Sequence, residues 1–173
     1  MGKKTLGRYV WWLLLGVWLI GYLYPAPRCI VPVKGANHTD WHKDSFWHFP
    51  WGESVTHKGI DIFGAAGTPV LASTAGIVLG AKQWGRGGNV VFVLGPKWRV
   101  HYYAHLQSID TQLFSVVRRG QQIGSVGTTG NAIGRPPHLH YSIITLFPYP
   151  WRWDKGVQGW QKIFYLNPNT YLQ

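Results

Sequence analysis

The most hydrophobic part of the chain is a single uncharged stretch near its N-terminus. Residues 9–27 contain no Asp, Glu, Lys or Arg, and the run from Val10 to Ile20 consists of apolar residues and one glycine. Nineteen residues in a helix would span about 28 Å, close to the hydrocarbon thickness of a bilayer. Basic residues precede the stretch, and Trp and Tyr lie near its ends, as at a membrane interface. The pattern predicts that residues 1–28 form a cytoplasmic basic start and a single-pass anchor in the cytoplasmic membrane, with the remainder outside the cytoplasm.

A cleaved signal peptide is the alternative interpretation of this stretch. The best cleavage point follows Ala26, but bulky Tyr24 stands where a small residue is needed and Pro27 comes next. Arg28 directly before Cys29 also argues against a lipoprotein signal. An uncleaved transmembrane helix is therefore the preferred prediction.

Beyond residue 56, short runs of β-branched and aromatic residues are separated by glycine, a pattern typical of strands joined by tight turns. The glycine-rich segments 85–88 and 95–97 predict hairpin turns. No strand alternates with a long helical pattern, and residues 108–117 are the one candidate for a short helix or irregular turn. An all-β, antiparallel domain is predicted, with strands at 59–63, 69–72, 76–84, 89–94, 100–105, 122–124 and 138–144.

Two irregular segments flank the predicted strands. Residues 29–55 contain several prolines and show neither helical nor strand periodicity, so we expect a linker that wraps onto the domain. Residues 147–173 are expected to pack across it. The predicted organisation is thus 1–28 anchor, 29–55 wrapping segment and 56–173 domain. The wrapping segment is expected to dock through its aromatic residues Trp41, Phe46, Trp47 and Trp51, and to leave His38, His42 and His48 on the surface.

Composition and charge limit the classes of partner. The net charge of +11 comes from 17 basic residues against six acids, so nucleic acid, anionic lipid and acidic wall polymers all fit electrostatically. Export outside the cytoplasm argues against nucleic acid. The single Cys29 excludes an intramolecular disulfide. The oligomeric state is left open.

The residues most suggestive of chemistry are His138-Leu139-His140. Side chains alternate along a strand, so His138 and His140 point to the same face and Leu139 to the other. Together with His57 and Asp61 they form a candidate His/Asp/His metal site with one histidine to spare. Three protein ligands and an open position for water are the pattern of a catalytic zinc.

The spacing between His57 and Asp61 demands a bend. Four extended residues separate Cα atoms by about 13 Å, whereas the two side chains can bridge about 12 Å around one ion. Gly59 lies between them and can supply the bend. A helix would also bring the two together, but Gly59 and the neighbouring isoleucines disfavour one.

A third histidine motif strengthens the interpretation as a site. His101, Tyr103 and His105 are expected to share one face of a strand, because they alternate in sequence. A buried histidine satisfied by hydrogen bonds is the simpler explanation of His105 taken alone. Its coincidence with the other two histidine motifs favours a functional site.

Other hydrolase classes lack their signatures. The six acids show no evident pair of the kind that glycoside hydrolysis requires. Gly124-Ser-Val-Gly127 has the wrong spacing for a serine nucleophile elbow. The glycines from Gly80 onward lack the lysine of a phosphate-binding loop.

The motifs in their order along the chain resemble the lysostaphin-type (LytM-like) peptidoglycan zinc metalloendopeptidases. The resemblance covers about residues 50–146, over half of the chain. The matching segments are His57-Lys-Gly-Ile-Asp61, Gly67-Thr-Pro-Val70, Ala75-Gly76, Tyr103-Ala-His-Leu106, Gly120-Gln-Gln-Ile-Gly124 and Gly134-Arg-Pro-Pro-His-Leu-His140. Two departures are visible, at Arg135-Pro-Pro137 and at His101, whose role is left open.

The resemblance implies a fold, a metal and a substrate. It implies an antiparallel β-sheet groove of the duplicated-hybrid-motif type, with one Zn²⁺ per chain held by His57, Asp61 and His140. His105 and His138 would be the catalytic histidines, and either could handle the proton. The implied activity is hydrolysis of cross-link or stem peptides of bacterial peptidoglycan. The alternative is a non-catalytic relative that binds peptidoglycan and activates a cell-wall amidase. Such relatives typically lose zinc ligands, whereas all five site positions are present here.

Overall fold

The computed structural model describes residues 3–173 and the side chains of residues 7–173. Helix α1 spans Lys3–Leu23. Nine strands follow in this part of the chain: β1 Ile60–Phe63, β2 Pro69–Leu71, β3 Gly76–Gln83, β4 Asn89–Gly95, β5 Arg99–Ile109, β6 Val116–Val117, β7 Gln122–Val126, β8 His138–Thr145 and β9 Tyr165–Leu166. Short 3-10 helices occupy Lys43–Ser45, Gly52–Ser54, Gly85–Gly87, Pro96–Trp98, Gly130–Ala132, Pro150–Arg152, Gly159–Ile163 and Pro168–Thr170.

The strands form one antiparallel sheet, as the sequence predicts. The main order is β1-β8-β5-β4-β3-β6. In addition, β7 pairs with β2 and β5, and β9 pairs with β8. Each of the seven predicted strands is present, with ends shifted by a few residues. The two strands that the pattern missed, β6 and β9, are two residues long, too short for alternation to show. Residues 108–117 form the end of β5, a turn and the two residues of β6 rather than a helix.

The core lies on the side of the sheet opposite to the face that carries His138 and His140. Leu139 and Tyr141 of β8 are fully buried with Tyr103 of β5, as strand alternation requires. Val33 and Trp41 of the wrapping segment belong to the same hydrophobic cluster. Their burial removes apolar surface from water and so holds residues 29–55 against the sheet. The positions of His38, His42 and His48 are exposed, as predicted.

The prediction that His101, Tyr103 and His105 share one face is wrong for His105. The pairing of β4 with β5 shifts register between Asn89 and Val91, which lie opposite Leu106 and Tyr103. The extra residue in β5 is a bulge, and His105 adopts a φ of 64° in the left-handed region. The bulge reverses the alternation, so His105 turns away from the core that holds Tyr103.

His101 stays on the core side of β5 and is 2% exposed. Its Nδ1 lies 2.7 Å from the hydroxyl oxygen of Tyr141. Burial, with a smaller contribution from the positive charge of Arg99, lowers the pKa of His101 to about 3. The imidazole is therefore neutral in the folded protein at neutral pH and is part of the buried core.

This burial predicts a pH-dependent stability. An unfolded histidine titrates near pH 6.5, so the contribution of neutral His101 is fully present above that pH and is lost as the pH falls toward 3. We expect the free energy of unfolding to fall more steeply below pH 6.5 in the wild type than in His101→Gln, by up to about 1.4 kcal/mol per pH unit. Denaturant unfolding at pH 7 and pH 5 measures this difference. An equal loss of unfolding free energy in the two proteins between these pH values would contradict a neutral, buried His101.

Helix α1 contacts the domain through its C-terminal half. The indole Nε1 of Trp98 donates to the carbonyl oxygen of Trp18 at 3.0 Å, and Phe147 packs edge-on against the Trp18 ring. Within the described residues, no helix has the combined length and apolarity of a membrane span. The transmembrane anchor thus stays a prediction.

Candidate metal centre

Strand pairing places two of the predicted metal ligands face to face. Asp61 on β1 lies directly opposite His140 on β8 in the antiparallel register. Opposed residues on one face of such a pair have Cβ atoms about 5 Å apart, so a carboxylate and an imidazole can reach one ion. His57 lies before β1, outside the strand. The chain bends at Gly59, as the sequence predicts, and this brings His57 back toward Asp61.

Gly59 also permits the close approach of β1 to β8. A Cβ at this position would overlap the carbonyl oxygen of Tyr141 and the hydroxyl of Ser142, and would press on the ring of His140. Only glycine leaves room for these neighbours. Gly59 thus contributes to the site in two ways: it allows the bend, and its lack of a side chain allows β1 to approach β8 closely.

The three candidate ligand atoms converge on one point. Asp61 Oδ1 lies 3.1 Å from His57 Nε2 and 2.8 Å from His140 Nδ1. The two imidazole nitrogens are 3.0 Å apart. Two imidazole nitrogens and a carboxylate oxygen suit Zn²⁺. The donor set therefore fits a metal ion.

The opposite ring nitrogens of the two candidate ligands are held by oxygen atoms. His57 Nδ1–H donates to the carbonyl oxygen of Ser45 at 2.9 Å. His140 Nε2 is 3.0 Å from the hydroxyl oxygen of Ser142. A carbonyl can only accept, so Ser45 assigns the tautomer of His57 and leaves its Nε2 free to act as a ligand.

The electrostatics of the centre favour an ionised carboxylate. Burial alone would raise the pKa of Asp61, but hydrogen bonds and charge interactions with His140 and His57 outweigh it and hold the pKa below its ordinary range. Burial is the largest cause that lowers the pKa of His140. An anionic carboxylate and neutral imidazoles are the forms that bind a metal.

His105 and His138 lie beside the centre and line the same cavity. Their ring centroids are 5.1 Å apart, and that of His105 is 6.0 Å from the ring of His140. His105 Nδ1–H donates to the carbonyl oxygen of Thr129 at 2.9 Å, and His138 Nδ1–H to that of Pro136 at 2.8 Å. Each ring therefore presents an acceptor at Nε2 when neutral.

The lowered pKa of His105 keeps its imidazole in the neutral form. Burial, followed by the charges of His140 and His138, lowers this pKa to about 4. His105 is consequently neutral at physiological pH. A neutral imidazole next to a metal centre can take a proton from an attacking water molecule.

A groove with a volume of about 800 Å³ opens above these side chains. Its walls come from four separate parts of the chain: the wrapping segment, the β3–β4 turn, the β7–β8 connection and the C-terminal tail. Arg86 of the turn pairs with Glu53 of the wrapping segment at 2.8 Å. In the tail, Gln158 accepts from Lys58 Nζ and from the Thr56 hydroxyl, both at 2.7 Å.

The groups that orient the histidines could not be predicted from the sequence. They are mostly backbone carbonyls, from Ser45, Thr129 and Pro136, and any residue type supplies a carbonyl. Trp51 was likewise not predicted as a neighbour of His57, because the irregular segment 29–55 carries no periodic signal. The prediction that this segment wraps onto the domain indicated only that its residues could reach the site.

Comparison with known proteins identifies relatives. The chain is 41% identical over 85 residues to the DD-carboxypeptidase/endopeptidase Mpg of Neisseria meningitidis, covering 49% of this chain and 19% of that protein. It is 32% identical over 145 residues to the L-Ala--D-Glu endopeptidase of Bacillus subtilis, covering 73% and 43%. The chain spans about a fifth of the length of the first curated relatives that it matches.

Solved structures agree with the fold. The catalytic domain of the antimicrobial peptidase lysostaphin from Staphylococcus simulans matches with a TM-score of 0.57 and 25% identity, covering 73% of this chain and 87% of that one. A zinc-containing peptidase from Vibrio cholerae matches with a TM-score of 0.56 and 26% identity, covering 68% and 36%. The family model of Peptidase family M23 matches residues 55–148, which include all five predicted site residues. The chain therefore belongs to Peptidase family M23.

Proposed function

We propose that this protein is a zinc-dependent endopeptidase that hydrolyses peptide cross-links or stem peptides of bacterial peptidoglycan outside the cytoplasm. The observation that carries the proposal is the convergence of His57 Nε2, Asp61 Oδ1 and His140 Nδ1 within 4.8 Å of one another. His105 and His138 line the groove next to them. Three ligands with two further imidazoles suit hydrolysis rather than a purely structural metal.

In the proposed mechanism, His57, Asp61 and His140 would hold the zinc ion. Zinc held there would supply the Lewis acidity that activates water and polarises the carbonyl of the scissile peptide. His105, which is neutral at physiological pH, or alternatively His138 would accept the proton that the attacking water loses. The same imidazole, once protonated, donates that proton to the nitrogen of the leaving amine, so the proton balance closes within the groove.

The oriented tautomers prepare both histidines for these tasks. Each Nδ1–H is engaged by a backbone carbonyl, so Nε2 is the nitrogen that exchanges the proton. The second imidazole can donate to the oxygen that gains negative charge as water adds to the carbonyl, provided that it is protonated. Fixed orientation lowers the reorganisation that the reaction requires.

The substrate class rests on the relatives. One is named as a DD-carboxypeptidase/endopeptidase and another as an L-Ala--D-Glu endopeptidase. These names describe different peptide bonds, so the proposal specifies peptidoglycan peptides and no single bond. The wide groove and the net charge of +11 are compatible with an extended peptide within an anionic wall.

Incubation of the purified full-length protein with isolated peptidoglycan tests the proposal. We expect zinc-dependent release of cleaved peptides, identified by mass spectrometry, and loss of that release after chelation. Peptidoglycan binding without any cleaved peptide, combined with stimulation of a wall amidase, would instead support the activator function.

We further propose that helix α1 anchors the chain in the cytoplasmic membrane, with the domain on its outer side. From Tyr9 to its end at Leu23, α1 carries no charged side chain, and several of its apolar side chains are largely exposed, among them Trp11, Leu13 and Ile20. Their contact with water is unfavourable, and a bilayer would remove it. The basic residues that precede the uncharged stretch support a cytoplasmic N-terminus.

Cell fractionation gives a direct prediction for the anchor. The protein is expected in the membrane fraction at its full mass, and a reporter fused after Gln173 should be active only outside the cytoplasm. High salt should not extract the protein, because burial of an apolar helix is insensitive to ionic strength, unlike electrostatic adsorption. Recovery of a soluble form that begins near Pro27 would show a cleaved signal peptide.

A further inference from the structure

The part of the wrapping segment from residue 45 to residue 51 encloses the candidate ligand His57. The indole of Trp51 stacks on the His57 imidazole, with ring centroids 4.1 Å apart and planes inclined by 19°. Ser45 accepts from His57 Nδ1–H at 2.9 Å. The backbone N–H of His57 donates to His48, and the carbonyl of His57 accepts from Trp47. The imidazole is consequently 1% exposed.

His57 needs such support more than the other two candidate ligands do. Asp61 and His140 lie on paired strands, which fix their backbones and their directions. His57 precedes β1 by three residues and has no strand partner. A ligand on an irregular segment is positioned only as well as its surroundings hold it.

We infer that residues 45–51 belong to the metal centre, in which Trp51 and the Ser45 carbonyl position His57 for the zinc ion. This inference rests on the proposed function and adds residues that precede the family match at 55–148. Trp51 is a positioning residue. Its flat face restricts rotation of the imidazole about its χ angles, while the Ser45 carbonyl determines which nitrogen is free for the metal.

The surroundings of Trp51 make this arrangement rigid. The Trp51 backbone N–H donates to the carbonyl of Val55 at 2.8 Å, which closes the loop that bears the indole. Lys58 Nζ donates to the carbonyl of Ser54 at 2.9 Å, and the same ammonium reaches Gln158 of the C-terminal tail. The loop is thus tied to the residue that follows His57 and to the far wall of the groove.

Zinc affinity of the purified full-length chain tests the inference. The variants are Trp51→Ala, the conservative Trp51→Phe and, as a control, Trp153→Ala, which changes a half-exposed indole that does not line the groove. We expect Trp51→Ala to weaken zinc binding about tenfold in competition with a chelator, because outer groups that orient a ligand affect affinity on this scale. Trp51→Phe should stay within about threefold of the wild type, since a phenyl ring can still stack.

Cobalt provides a second readout that does not require Trp51→Ala to fold. Co²⁺ at the site quenches the emission of an indole stacked on a metal ligand, so Trp51→Phe should show a smaller cobalt-dependent loss of tryptophan fluorescence than the wild type. Equal quenching in the two proteins would overturn the inference. Equal zinc affinity of Trp51→Ala and Trp153→Ala would overturn it as well.

The same titrations separate this inference from the proposed function. His57→Ala is measured alongside as the reference for loss of a ligand. If His57→Ala kept the wild-type affinity for zinc, the metal centre itself would be wrong. If His57→Ala lost zinc while Trp51→Ala kept it, the peptidase proposal would stand and the role of residues 45–51 would fail.

Discussion

Replacement of Asp61 by alanine is expected to remove most of the zinc and nearly all of the peptidoglycan hydrolysis. The wild type should carry about one zinc per chain. The substitution deletes the carboxylate that lies 2.8 Å from His140 Nδ1 and 3.1 Å from His57 Nε2, so only two imidazoles of the three ligands remain to bind a dication. Loss of one of three protein ligands leaves a site too weak to retain the ion through purification.

Elemental analysis of the purified protein and release of peptides from isolated walls measure this result. His57→Ala and His140→Ala should behave in the same way. Asp110→Ala is the matched control, because Asp110 is an exposed carboxylate that bonds to Gln122, away from the groove. Full zinc occupancy in Asp61→Ala would overturn the ligand assignment.

The second large effect is expected from His105. His105→Ala should retain the zinc and the fold but reduce peptide hydrolysis by at least about a hundredfold, within the roughly 10²–10⁴-fold range of general acid–base catalysis. The side chain lies next to the centre without belonging to the ligand triad. Its pKa near 4 keeps it neutral, so removal takes away a proton acceptor that is available at neutral pH.

His138→Ala should resemble His105→Ala, with some loss of metal because its neighbour but one is the ligand His140. His38→Ala is the control, since His38 is exposed, does not line the groove and lies outside residues 45–51. Zinc content and rate must be measured on the same preparations. Wild-type hydrolysis by His105→Ala would show that this residue has no catalytic role, whatever the fate of the metal site.

The position of His105 shows why sequence patterns alone could not complete the site. Alternation places it with His101 and Tyr103, on the core side of β5. The bulge that moves it to the groove is set by the pairing of β5 with β4, and β4 contains nothing that signals the register shift. Its φ of 64° is costly for a residue other than glycine, and the packing of the sheet holds it there.

His101 illustrates the opposite outcome. From the sequence it is one more histidine near a cluster of histidines, with no assigned role. Its burial beside Tyr141 depends on which face of β5 it occupies and on what β8 places opposite that face. Tertiary packing therefore separates a core histidine from one that lines the groove four residues away on the same strand.

Local chemistry in the sequence determined the antiparallel strands, the bend at Gly59, the shared face of His138 and His140 and the family of the chain. These features depend on side-chain alternation, on glycine and on motifs that span a few residues. Tertiary structure alone decided that Asp61 lies opposite His140, that a bulge turns His105 into the groove, and that Ser45 and Trp51 enclose His57. Those features depend on strand register and on contacts between distant segments, which no local pattern of side chains encodes.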